Sequence, residues 1–177
     1  MPATDAAADR VTIRTATPDD AADLVALLRA GALVATDDEG DLGPYRAALS
    51  DIATVPGNDV LVAVLDGRVV GTCQLIVFRH LQHAGGRCAE LESMHVAPDV
   101  RGGGVGGVLL EAAVDRARAA GCYRVQLTSN RARTDAHRFY ERHGFAPSHA
   151  GFKRLLEPPT DRPVGGSVSG QERVEEA

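Results

Sequence analysis

The chain has 177 residues, 44% of them apolar and 24% charged, with a net charge of −5, the profile of one soluble globular domain. The acidic balance argues against a general nucleic-acid binder, which would carry a basic excess. With no apolar leader core and no run near eighteen apolar residues, neither secretion nor a membrane span is expected, and Cys73, Cys88 and Cys122, at unpaired spacings, read as reduced thiols in a cytoplasmic protein.

Residues 1–10 are small and polar and residues 157–177 are rich in Pro, Gly, Ser and Glu. Both ends are expected to be flexible, leaving a folded domain over 11–156. "VTIRTA" alternates like a short strand. "TPDDAADLVALLRAG" reads as a helix with Thr17 at its N-cap, Pro18 at its first position and Gly31 beyond its end. A shorter helix is predicted over 45–53. "VLVAVL", Asp66-Gly67 and "RVVGTCQLIVF" predict a β-hairpin with a type I′ turn, because Asp-Gly tolerates two successive left-handed residues.

In "CAELESMHVAP" the apolar positions are Ala89 and Leu91, then Met94 and Val96. The period-2 pattern slips by one residue, as it does at a β-bulge. Such a bulge puts Glu90 and His95 on one polar face, with Glu92 or Ser93 as the extra residue. Next comes "DVRGGGVGG", five glycines in nine residues behind an arginine. A helix is predicted after it, with Val105, Leu109, Ala112, Ala113, Ala117 and Ala120 on its apolar side and Gly121 at its end. "YRVQLT" alternates as a strand. Ala136, Phe139, Tyr140 and His143 mark one face of a last helix closed by Gly144, and "GFKRLL" has the alternation of a final edge strand.

A glycine run between a strand and a helix presents bare N–H groups at the positive end of the helix dipole. With Arg101 beside it, this is a site for a diphosphate. Gly102, Gly104 and Gly107 satisfy the G-x-G-x-x-G dinucleotide pattern, but "LTSN" stands where a ribose-binding acidic residue would be needed. A third reading has the glycines only allowing close helix–sheet packing.

"MHVAPDVRGGGVGGVLLEAA" resembles the acyl-CoA-binding segment of the GNAT superfamily of N-acetyltransferases, with Arg101-x-x-Gly104-x-Gly106 in place of its signature. "DAHRFYERHGF" resembles the late helix of that superfamily, and "FRHLQH…ELESMHVAP…LTSNRARTDAHRFYERHGF…SH" is similar to its aminoalkylphosphonate N-acetyltransferases. The resemblance covers roughly 11–156. It implies a GNAT-type α/β fold whose mixed, mostly antiparallel sheet is splayed at the bulge and flanked by helices. It also implies acetyl transfer from acetyl-CoA to the primary amine of a small molecule. The cosubstrate would be held by Met94, His95, Val96, Arg101, Gly102, Gly103, Gly104, Val105, Gly106, Gly107, Asn130 and Tyr140.

An alkyl ammonium with a pKa near 10.4 is almost wholly protonated at pH 7, so a base is useful. Glu90 is the first candidate and Glu92 the second, while Tyr140 would face the departing sulfur. Arg79, Arg87, Arg131 and Arg133 are candidates to meet an anionic substrate group. His80, His83 and His95 could form a cluster with Cys88 or Glu90, but H-x-x-H in a loop fits solvated or substrate-contacting histidines better, and no metal ligands are assigned. Two other functions stay open: a protein acetyltransferase using the acidic segment 37–41, and a non-catalytic acyl-CoA-binding regulatory module. A homodimer is left open as well.

Overall fold

The first helix begins where the sequence places it. Thr17 and Asp20 form a capping box, the Thr17 amide donating to Asp20 Oδ2 at 2.7 Å, and Pro18–Asp20 make a 3₁₀ turn that leads into helix α1 (Ala21–Gly31). A negative side chain there satisfies a free N–H and complements the helix dipole. The computed structural model describes residues 7–32, 40–154 and 156. The expected tails at 1–6 and 157–177, and acidic residues 37–39, lie outside the described residues. Gly31 is the last residue of α1, not the one after it.

Helix α2 (Gly43–Thr54) follows, then the hairpin of strands β2 (Asp59–Leu65) and β3 (Arg68–Arg79). Asp66 and Gly67 both have positive φ, +51° and +79°, as the type I′ turn requires. With β1 (Thr12–Thr15), β4 (Arg87–Val96) and β5 (Cys122–Leu127) they form a five-stranded sheet in the order β1-β2-β3-β4-β5. Neighbours are antiparallel except β4 and β5, which are parallel. A parallel pair needs a crossover, and helix α4 (Val105–Ala119) supplies it. Helix α5 (Thr134–Arg142) comes last, and α3 (Gln82–Gly85) is a single turn between β3 and β4.

The helices divide between the two faces of the sheet. α1 and α2 cover the face bearing Val60, Thr72 and Gln74. α4 covers the other, where Leu109 reaches Gly71 and Val105, Leu109, Leu110, Ala113 and Ala117 are buried. Leu110 joins the predicted stripe, while Ala112 is only half-buried. Cys73 and Cys88 are buried and Cys122 is half-buried, all three as free thiols. Among the described residues no helix is long and apolar enough to cross a membrane.

The final edge strand is not formed. Residues 151–154 and 156 are in no strand, and Phe152 and Leu156 are 97% and 82% exposed. Alternation makes a strand only where one face can be buried, and nothing covers these side chains.

Candidate functional site

The phase slip in β4 is a bulge. Gln74 pairs with Glu92 and Thr72 with His95, so Ser93 and Met94 together face Cys73. Ser93 has φ +51°, a left-handed conformation that makes it the extra residue. The registers Ile76↔Glu90, Gln74↔Glu92 and Thr72↔His95 put Glu90, Glu92 and His95 all on the face toward α1 and α2. β5 accompanies β4 only as far as the Leu91↔Leu127 rung. Beyond it the strands part, and the β4 backbone from Glu92 to Val96 has no partner strand on that side. A cavity of about 140 Å³ lies on this face, lined by Leu24, Leu28, Tyr45, Thr72, Gln74 and Ser93 among others.

The two glutamates differ in their partners. Glu90 stands within the paired part of β4, and its Oε2 accepts a 2.6 Å hydrogen bond from Gln126 Nε2 on β5. Glu92 stands past the last rung, half-buried beside the cavity, and accepts no hydrogen bond from another described residue. Burial, aided by the Glu92 charge, pushes the Cys73 thiol up to about 12, so Cys73 is inert as a nucleophile.

The glycine loop wraps from β4 into α4. Gly102 and Gly104 both have φ +81°, and a Cβ on Gly102 would meet nothing within 4 Å. The first hydrogen bond of α4 runs from the Val108 amide to the Gly104 carbonyl. The amides of Gly104, Val105, Gly106 and Gly107 make no hydrogen bond within the described residues. Four successive unspent donors at a helix N-terminus suit a diphosphate. Arg101 lies alongside, its Nε donating to the Val96 carbonyl at 3.0 Å.

Gly106 and Gly107 also have a packing role. A Cβ on Gly106 would touch the Phe139 ring at 3.5 Å, and one on Gly107 would come within 3.1 Å of the His143 ring. Phe139 is on α5 and His143 is its C-cap residue, and Val96 of β4 stands 3.6 Å from the same Gly106 position, so these glycines let α4 approach both α5 and the sheet. α5 ends in a Schellman motif: Phe145 N–H to the Tyr140 carbonyl, Gly144 N–H to Glu141, with the Tyr140 and Phe145 rings 5.9 Å apart. Tyr140 is thereby fixed on three sides by Phe139, Phe145 and the cap. Its hydroxyl makes no hydrogen bond within the described residues. Burial is the main reason its pKa is raised, so it remains a neutral donor.

His95 packs on Gly31 so closely that a Cβ there would stand 1.9 Å from Nδ1. Burial and the nearby guanidiniums of Arg133 and Arg101 lower its pKa, leaving it uncharged at neutral pH. Arg133 reaches back from the start of α5 to donate to the Gly31 carbonyl. Sequence reasoning missed this partnership, since the two residues are 102 positions apart. Asn130 is occupied in a turn, with Oδ1 accepting from the Ala132 amide at 2.9 Å.

His80 and His83 sit at the other end of the sheet, around Tyr123, away from His95. Among the described residues no group of three or more His, Cys, Asp and Glu is placed to hold a metal ion. Arg79 and Arg87 lie at that end too, facing each other across β3 and β4 and bonded to the Gly85 and Ala120 carbonyls.

Residues 27–145 match the family model described as acetyltransferase (GNAT) family. The chain belongs to this family. As a GNAT protein it is an acetyl-CoA-dependent acyltransferase, and its open sheet is that of GNAT structures. An aminoalkylphosphonate N-acetyltransferase from Salmonella typhimurium is 36% identical over 118 residues, 67% of this chain and 76% of that protein. An aminoglycoside N(6')-acetyltransferase type 1 from Stenotrophomonas maltophilia is 33% identical, covering 83% of this chain and 95% of its own. A solved structure from Bacillus halodurans C-125, described as a transcriptional regulator, superimposes with a TM-score of 0.76 at 33% identity, over 82% of this chain and 99% of that one.

Proposed function

We propose that this GNAT protein moves the acetyl group of acetyl-CoA directly to the primary amine of a small molecule of the aminoalkylphosphonate kind. The observation that carries this reading is the parting of β4 from β5 beside the bulge. It leaves one slot open between a row of bare helix-start amides and a cavity whose lining residues Gln74 and Ser93 are the strand partner and chain neighbour of Glu92. A diphosphate fits the amides of 104–107, and the backbone of Met94–Val96, which no strand pairs on the β5 side and whose Val96 carbonyl accepts from Arg101 Nε, suits the amide-bearing arm of the same molecule. The amine enters from the cavity under α1 and α2.

Glu92 takes the amine proton as the nitrogen attacks the thioester carbonyl. Its position past the last β4–β5 rung and its lack of a partner among the described residues favour it over Glu90, which Gln126 already holds. The C–N bond forms, the C–S bond breaks, and the thiolate accepts a hydrogen bond from Tyr140. The three unpaired cysteines suit a cytoplasmic setting.

The test is a thiol-release assay with acetyl-CoA across amine classes, beside calorimetry with coenzyme A and NAD. Coenzyme A binding and thiol release with small amines are expected. NAD binding without coenzyme A binding would overturn the reading.

A further inference from the structure

Each arginine among Arg10, Arg14, Arg68, Arg116, Arg118 and Arg138 has an aspartate partner. Arg133 has no carboxylate partner among the described residues, although it is half-buried. A half-buried guanidinium with no counter-charge is costly unless something supplies one. Of the four arginines suited to an anionic substrate group, Arg79 and Arg87 lie at the far end of the sheet, and Arg131 is exposed. Only Arg133 reaches the slot.

Its place there follows from a chain of contacts. Leu24 and Leu28 of α1 line the cavity together with Thr72. Thr72 pairs with His95, His95 packs on Gly31, and the Gly31 carbonyl accepts from Arg133 Nη2. The guanidinium therefore stands where α1 ends, at the margin of the acceptor cavity. One of its five N–H groups is spent on that carbonyl. The others can still grip an oxyanion in the two-point fashion a planar fork allows. A second cation, Arg101, acts on the same His95 ring. These two cations repel an ammonium on their side of the site while Glu92 attracts it on the other, an arrangement that suits a molecule carrying an amine at one end and an anion at the other.

We propose that Arg133 receives an anionic group of the acceptor, so that the enzyme selects short amines bearing a phosphonate, phosphate or carboxylate over polycationic amines. This rests on the acetyl-transfer reading and makes it narrower.

The experiment pairs each anionic amine with a matched neutral one: 2-aminoethylphosphonate with propylamine, and glucosamine 6-phosphate with glucosamine. An aminoglycoside is the polycationic arm. The proteins are wild type, Arg133→Gln, which removes the charge while keeping a polar N–H, Arg133→Lys, and Arg131→Ala as control. In the wild type and the control, kcat/KM is expected to favour the anionic member by at least about tenfold, the scale of one charge-assisted contact. In Arg133→Gln that preference should vanish through KM, with the neutral amine and the melting temperature little changed. Arg133→Lys should recover part of it. A preference that survives in Arg133→Gln, or a wild type that prefers the aminoglycoside, overturns the proposal. Absence of turnover with every amine would refute the acetyl-transfer reading, and titration of 2-aminoethylphosphonate would then judge Arg133 by itself. Binding to wild type that is lost in Arg133→Gln sustains its role, whereas equal or absent binding ends it.

Discussion

Glu90 and Glu92 lie two residues apart on one face of β4, and β5 reaches only the first of them. For the proposed base, Glu92→Gln should lower kcat/KM at pH 7 by about 10² to 10⁴. The deficit should shrink as pH rises toward the amine's own pKa and free amine becomes abundant. Glu90→Gln, which trades one hydrogen-bonded partner of Gln126 for another, should cost far less. Paired pH–rate profiles check both. Tyr140→Phe is expected to reduce kcat much more than it changes KM for acetyl-CoA, with an unchanged melting temperature. The reason is that burial lifts the phenol above its usual range, while a thiolate sits near 8.5, so full proton transfer would be at least about 2 kcal/mol uphill. A hydrogen bond to developing charge suffices. Away from the site, the Arg14 guanidinium holds the buried Asp20 carboxyl at about 2, below its ordinary 3.8. A carboxyl lowered on folding stabilises above its unfolded pKa, and that stability is lost as pH falls from about 4 toward 2. Asp20→Asn should remove about 2 kcal/mol at pH 7 and flatten the acid limb of the melting curve.

At the scale of elements, the glycines opening α4 serve two masters. Gly106→Val should cost roughly 1–3 kcal/mol by overpacking Phe139, and by displacing α5 it should lower kcat along with affinity for coenzyme A. Melting curves beside calorimetry separate this from a purely ligand-directed role, for which stability would not move. Signals confined to one segment were legible in the sequence. These include the Asp66-Gly67 turn, the Thr17 start, the slip between Leu91 and Met94, and the Gly144 stop. The bulge even put Glu90 and His95 on one face. What sequence left open was whatever two distant segments decide together. The ranking of Glu90 against Glu92 depends on where β5 stops. The need for glycine at position 31 comes from the His95 ring, and at 107 from the His143 ring. "GFKRLL" alternates as a strand should, but period alone does not supply a face to bury against.

Over the whole molecule, the strands stand side by side in the order in which they leave the ribosome. Three of the four pairings join antiparallel neighbours, but the β1–β2 pair waits on α1 and α2 as the β4–β5 pair waits on α4. Short separations between partners favour rapid folding. The hairpin β2–β3 and its neighbour β4 can zip locally, whereas β1 joins β2 only across α1 and α2, and β5 joins β4 only across α4, so both outer seams carry the greater loop-closure cost. Seams that close late should open first. Pulsed and native-state amide exchange should therefore find β5 and α5 acquiring protection after β2 and β3, and losing it at lower free energy. Since Arg133 and Tyr140 belong to that late segment, a chain with β1–β4 already set would still lack both. A population of such partly opened molecules would be nearly native by its far-ultraviolet dichroism and silent in a turnover assay, and ligand occupying the slot should drain it by mass action.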